Sequence, residues 1–253
     1  MPMIPLHERQ YIYDGIFSFL LDIDTPVIST PLRYICDKLN IELMPLSRII
    51  SETQLSGQEI FRVWSNKDGY LYKHQANGVY SFKIAYNDVT NSKERQNFTI
   101  AEELSHYILG HYLNYNRNIL HLNALEEADV KKYRYIEECA RMAGGILVCP
   151  PPVYYVLDDE YTLSKQDTAK IFNISVSCAG VRMSILKKYE KEIKDTPRYN
   201  ELLKHYDGVE FDYPCNGCGE KSLSLYEIRN ITLCEHCGEA LFEEWYNDVF
   251  LNK

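Results

Sequence analysis

Apolar and polar residues alternate along the chain in ways that predict most of its regular elements. Residues 6–22 are apolar and aromatic with mixed periodicity and predict a helix. Ser29-Thr30-Pro31 has the form of a helix start, a hydroxyl cap followed by Pro at the first helical position, for a helix running to about Asn40. Ile41–Met44 predicts a strand, whereas residues 45–69 carry no clear period. Asn77-Gly78 stands between the alternating runs Tyr70-Leu71-Tyr72 and Val79–Tyr86, the pattern of a two-residue β-hairpin. A helix is predicted from about Lys93 to Leu109, with Gly110 as its stop. A second long helix spans about Glu126 to Leu147, ahead of Pro150-Pro151-Pro152. Ser164 and Ser175 have the form of caps for two further helices, with Asn173 in the turn between them.

Composition narrows the class. With 253 residues the chain can bury a substantial core, as one large domain or two smaller ones. The N-terminal residues lack the basic region and apolar core of a signal peptide, and no apolar run approaches the ~20 residues that span a bilayer. The expected location is the cytoplasm, with no membrane partner. The net charge is −9, of which −7 falls in residues 201–253. That is the wrong sign for nonspecific nucleic-acid binding, and direct nucleic-acid contact is not expected.

The densest chemistry lies in Glu102-Glu103-Leu104-Ser105-His106. Residues four apart on a helix sit about 40° apart in projection and one turn apart along the axis, so Glu102 and His106 can grip one ion. Glu103 leans to the side of that pair, where it can take a proton from a metal-bound water. His111 is about 140° around from His106 on a regular helix, and reads as a helix-end residue or one that supports a ligand from behind. Zinc accepts carboxylate oxygen as well as imidazole nitrogen. A Glu-rich ligand set carries extra negative charge, however, and makes the ion a weaker Lewis acid. A second reading of Glu102 is local: Thr99-x-x-Glu102 matches a capping box, which requires a helix start at Thr99. A start at Ser92 instead places Glu102 mid-helix, facing the site.

The wider segment, Arg95-Gln96-Asn97-Phe98-Thr99-Ile100-Ala101 followed by Glu102 to His111, resembles the R-x-x-F-T-x-A-H-E-x-x-H-x-x-L-G-H stretch of the ImmA/IrrE metallopeptidases. Glu137 to Pro150 resembles that family's E-x-x-A-N-x-F-A-x-x-L-L-M-P stretch. The resemblance spans about residues 25–190 and is specific in these two helices. It implies a zincin-like fold, a zinc ion in the active site and a protein substrate, namely a helix-turn-helix repressor whose cleavage switches genes on. It assigns the third ligand to Glu137, with the adjacent Glu138 about 100° away as the fallback. The departures are Glu102 for the first motif His, Arg141 for Asn, Ala143 for Phe, and a Gly144-Gly145 pair expected to loosen the helix. They leave open a weakened or inactive pseudo-peptidase that binds a protein without cutting it, or an adaptor acting through its tail.

Residues 162–190 resemble a helix-turn-helix. A DNA-reading second helix needs exposed phosphate-contacting side chains; this one offers Arg182, Lys187 and Lys188, and a packing or protein-docking role is the stronger expectation. Downstream, Cys215, Cys218, Cys234 and Cys237 form a C-x2-C-x15-C-x2-C array, the spacing of a closed four-thiolate structural zinc site. Cys36, Cys139, Cys149 and Cys178 lie among apolar positions and read as buried thiols. Leu241, Phe242, Trp245, Tyr246, Val249 and Phe250 make one apolar helical face, which packs on its own domain or else binds a partner or a second copy of the chain.

The expected class is therefore α+β. A zincin-like metallopeptidase domain over residues 1–200 combines a small antiparallel sheet with active-site helices and includes the helix-turn-helix-like segment 162–190. A zinc ribbon and amphipathic helix occupy 208–253. Expected zinc is one structural ion and a second on Glu102, His106 and Glu137, with Glu103 as general base. An extended substrate is expected to add to the edge of the Val79–Tyr86 strand.

Overall fold

A computed structural model describes residues 4–24, 29–53, 55–56, 58–60, 68–76, 79–113 and 127–206, together with short strands at 213–214, 221–222, 225–228 and 231–234. The chain divides into two units, Met1–Asp207 and Gly208–Lys253.

In the first unit, α1 (Leu6–Ile23) is a core helix. Tyr13, Ile16 and Phe17 on it are fully buried, at the i, i+3, i+4 spacing that gathers side chains on one face. α2 (Leu32–Lys38) starts one residue later than the Pro31 signal suggests, and without a side-chain cap. The Thr30 hydroxyl instead donates to the carbonyl of Leu147, so the expected cap residue ties two distant segments together. β1 (Ile41–Pro45) follows, then α3 (Leu46–Thr53) in the stretch with no clear period.

β2 (Gly69–Ala76) and β3 (Val79–Tyr86) pair antiparallel, with Ala76 opposite Val79 in register; Asn77 and Gly78 themselves lie outside the described residues. β1 pairs with β3 in parallel, from Ile41 opposite Phe82 to Pro45 opposite Tyr86. The three-stranded sheet, ordered β1-β3-β2, is thus mixed rather than antiparallel throughout. α2 and α3 flank β1, and α3 contributes the buried Leu46, which packs with Tyr70 and Ala85. The order also corrects the substrate expectation: β3 is central, paired with β2 along its length and with β1 over Phe82–Tyr86, so those five residues have no free edge to offer.

α4 (Lys93–Ile108) is capped by Ser92, whose hydroxyl accepts from the Arg95 amide at 3.3 Å. The early start settles the position of Glu102 in the helix interior. α5 (Glu127–Val148) packs along α4. It runs unbroken through Gly144 and Gly145, so these glycines do not loosen it. A Cβ on Gly144 would lie 3.0 Å from both the Cα and N of Glu102: the missing side chain lets the two helix backbones approach. α6 (Pro151–Tyr161), α7 (Lys165–Ile171), α8 (Val176–Lys194) and α9 (Tyr199–His205) complete the unit. Ser164 closes a full capping box with Asp167, and Ser175 caps α8 through the Cys178 amide. Asn173 turns the chain between them with φ of 51°.

α7 and α8 meet at 105°, inside the range of helix-turn-helix pairs. Arg182, however, is buried and is not available to a phosphate backbone. Cys36, Cys139 and Cys149 are buried and Cys178 half-buried; burial pushes the Cys36 and Cys149 thiols up to about 12, which keeps them protonated. No single helix among the described residues is long and apolar enough to cross a membrane.

In the second unit, β4 (Tyr213–Pro214) pairs with β5 (Lys221–Ser222), and β6 (Leu225–Ile228) with β7 (Ile231–Cys234), both antiparallel. Cys234 ends β7. Cys215, Cys218, Cys237 and the apolar tail from Leu241 to Phe250 lie outside the described residues.

The α4–α5 contact yields a prediction. Ala normally gains about 1 kcal/mol over Gly inside a helix, but at position 144 its methyl must push the α4 backbone away, at a typical overpacking cost of about 1–3 kcal/mol. Gly144→Ala is expected to lower the thermal midpoint by several degrees; an unchanged or raised midpoint would show that the helices have room to spare.

Candidate active site

Glu102, Glu103 and His106 all lie on α4. Thr99, Ile100, Ala101, Leu104, Ser105 and His106 form its buried stripe, so the helix is held against the core on the face that carries His106. His106 is 7% exposed, while Glu102 and Glu103 are half-buried at the margin of that face. Glu137 stands on α5 across the seam. Its Oε1 lies 3.7 Å from His106 Nε2. That is slightly beyond hydrogen-bond reach and close to the separation of about 3.4 Å expected for two ligands of one tetrahedral zinc, given bonds of about 2.0–2.1 Å.

His111 joins this pair in a way that helical geometry does not foresee. α4 ends at Ile108, and Gly110 takes φ of 65°, a left-handed conformation that glycine adopts without penalty. The chain then folds back as a 3-10 turn over His111–Leu113. Tyr107 and Tyr112 pack their rings on Phe82 of β3, with centroids 4.9 and 4.8 Å away, and fasten the turn to the sheet. The reversal brings His111 Nδ1 to 2.9 Å from His106 Nδ1. Burial, only partly opposed by Glu137, pushes the His111 imidazole down to about 4, so it is neutral at pH 7. When the His106 Nδ1–H donates to His111, the Nε2 lone pair of His106 is presented toward Glu137. That is the role of a residue that sets the tautomer and orientation of a ligand. The glycine directly before His111 was the available sequence signal, because a left-handed stop redirects the chain.

Glu102 is arranged differently. Its Oε1 lies 3.4 Å from Nη2 of Arg141 on α5, while Nη1 of the same guanidinium is 3.4 Å from Glu138 Oε1. Arg141 thus stands between Glu102 and Glu138. Among the described residues, no three His, Cys, Asp or Glu side chains are gathered closely enough to hold an ion. As arranged, His106 and Glu137 stand 3.7 Å apart, and Glu102 faces a guanidinium.

Glu103, next in sequence, borders the sheet. A Cβ on Gly69, the first residue of β2, would meet the Thr99 side chain and lie 3.4 Å from Glu103 Cγ, so α4 crosses close under the start of that strand. β2 is an edge strand of the described sheet, so the Glu103 side chain lies near a strand able to accept another.

No curated protein shows a significant match to the chain. Residues 62–184 match the model of the IrrE N-terminal-like domain, peptidase family M78. That stretch contains α4, the reversal at Gly110, all of α5 and the seam between them, so the part of the chain that carries the candidate site is an IrrE N-terminal-like domain of the M78 peptidase kind.

Proposed function

We propose that the chain is a zinc-dependent endopeptidase with a variant E-E-x-x-H site, acting on a protein substrate, for which the family resemblance implies a helix-turn-helix repressor. The observation that carries this reading is the 3.7 Å separation of His106 Nε2 and Glu137 Oε1 across two helices. Glu102 completes the ligand set once Arg141 turns away. The Arg141 side chain is 48% exposed, and exposed ion pairs are worth only about 0–1 kcal/mol. A zinc ion in a full protein site is worth on the order of 10 kcal/mol over all its ligands, which favours release of Glu102 from the half-exposed Arg141. Zinc held there by Glu102, His106 and Glu137 would polarise the scissile carbonyl and make a water more acidic. Glu103 serves as the base that accepts that water's proton and later returns it to the leaving amine. His111 holds His106 in the required tautomer, and an extended substrate segment adds to the edge of β2 rather than to β3. In this reading the four Cys of the second unit hold a separate structural zinc, the protein works in the cytoplasm, and the apolar tail joins two copies if it is not packed on its own unit.

The contact between Glu102 and Arg141 favours a second reading, in which the scaffold binds its protein partner without cutting it. Zinc content per chain separates the two. Two ions support the peptidase; one ion, lost when Cys215 and Cys218 are replaced by Ser, supports the non-cleaving binder.

Three variants sharpen this. Glu103→Gln is expected to keep its zinc and to lose about 100-fold or more in cleavage of a candidate repressor; undiminished cleavage would remove Glu103 from the mechanism. Glu102→His is expected to tighten zinc at the first-unit site, measured by competition with a chromogenic chelator, and no gain would show that position 102 is not a ligand. Arg141→Asn is expected to change stability by no more than about 1 kcal/mol while also raising zinc affinity. Unchanged zinc affinity in that variant would mean that Arg141 does not compete for Glu102.

A further inference from the structure

A cavity of about 780 Å3 opens between α1, α4, α5 and α8, within the size range of small-molecule sites. Its charged lining is dominated by cations: Arg9, Arg95, Arg141, Arg182 and Lys188, against Glu94 and Glu138. Three of these cations are already engaged. Arg9 is held by both oxygens of Glu192 at 2.8 and 2.6 Å, Arg95 reaches Asp68 at 2.8 Å, and Arg141 sits between Glu102 and Glu138.

Arg182 is not. It is 3% exposed and has no carboxylate partner among the described residues. Its Nη2 donates to the Cys149 carbonyl at 3.3 Å, and its Nε is buried without a hydrogen-bond partner. A guanidinium carries five N–H donors, and a buried charge that lacks a counter-ion costs several kcal/mol. The position is nevertheless built for it. A Cβ on Gly145 would lie 2.9 Å from Arg182 Nη1, so this glycine makes the space that the guanidinium fills. The hydroxyl of Tyr13, fully buried, lines the same cavity and also has no partner. Burial pushes that phenol up to about 12, which keeps it a donor. Ser175, Ser177 and Cys178 at the N-terminus of α8 line the cavity too, and the positive end of that 19-residue helix adds to the preference for negative charge. The remaining wall is apolar, with Phe98, Met142, Val181 and Ile185.

We propose that this cavity binds a small amphiphilic anion, a carboxylate or phosphate monoester carried on an apolar chain or ring, with its head on Arg182 and Tyr13 and its body against Phe98, Met142 and Val181. The site stands independently of whether the His106–Glu137 pair holds zinc.

The test is calorimetric titration of the full chain with octanoate, octyl phosphate and neutral octanol. The anions are expected to bind at least about tenfold more tightly than octanol, in line with the worth of a hydrogen bond to a charged group. A stronger response to octanoate marks a carboxylate head, and a stronger response to octyl phosphate marks a phosphate. Arg182→Met is expected to bring the anions down to the level of octanol. Because a buried Arg variant can fail to fold, Val181→Trp provides an independent check: Val181 is 60% exposed at the cavity wall, and the indole is expected to weaken binding of all three probes. Binding of octanol as tight as that of octanoate, no binding of either anion at millimolar concentration, or undiminished octanoate binding in Val181→Trp would overturn the assignment.

Discussion

The close approach of α4 and α5 at Gly144 is the constraint on which the candidate site rests. A glycine facing the Glu102 backbone brings the two helices near enough for side chains on one to reach side chains on the other. His106 meets Glu137 across this seam, and Glu102 meets Arg141 across it. The next residue, Gly145, lies about 100° farther around α5 and leaves room for Arg182. Two adjacent glycines, which cost helix stability in isolation, therefore shape both the candidate active site and the cationic cavity.

Electrostatics connects the two main departures from the family pattern. Glu102 stands where the pattern has His, and Arg141 where it has Asn. One adds a negative charge, the other a positive one, and the structure places them side by side. A guanidinium beside the extra carboxylate offsets part of the charge that would weaken a bound ion as a Lewis acid. It would also compete with such an ion for the same oxygens. Which effect prevails depends on how readily Arg141 can leave, and its exposure makes leaving inexpensive.

The helix pair α7–α8 shows how a familiar local form can serve another end. The turn, the two serine caps and the 105° crossing have the shape of a helix-turn-helix. Yet Arg182, the first cation along α8, points its chemistry toward the protein interior, hydrogen-bonded to the Cys149 carbonyl. The start of α8 forms one wall of a cavity, and its capped N-terminus contributes positive potential there.

The elements with strong local signals were legible from the residues alone. Serine caps announced α4, α7 and α8, the Asn-Gly pair announced the β2–β3 pairing, and prolines marked the end of α5. These signals depend on φ, ψ and hydrogen bonds within a few residues, which the local sequence determines. The sheet order was not legible. The parallel pairing of β1 with β3 arises from residues some 40 positions apart, as Ile41 opposite Phe82 shows, and it is this pairing that takes the free edge from β3 and leaves it to β2. Nor could helical periodicity place His111 beside His106, because periodicity ends where the helix does. The left-handed turn at Gly110 and the Tyr107–Phe82–Tyr112 packing decided that contact. Sequence likewise named Arg141 and Arg182 without saying which carboxylate, if any, each would meet. Local sequence sets where a backbone can turn; which side chains then share a space depends on how distant segments pack, and only the tertiary structure decides that.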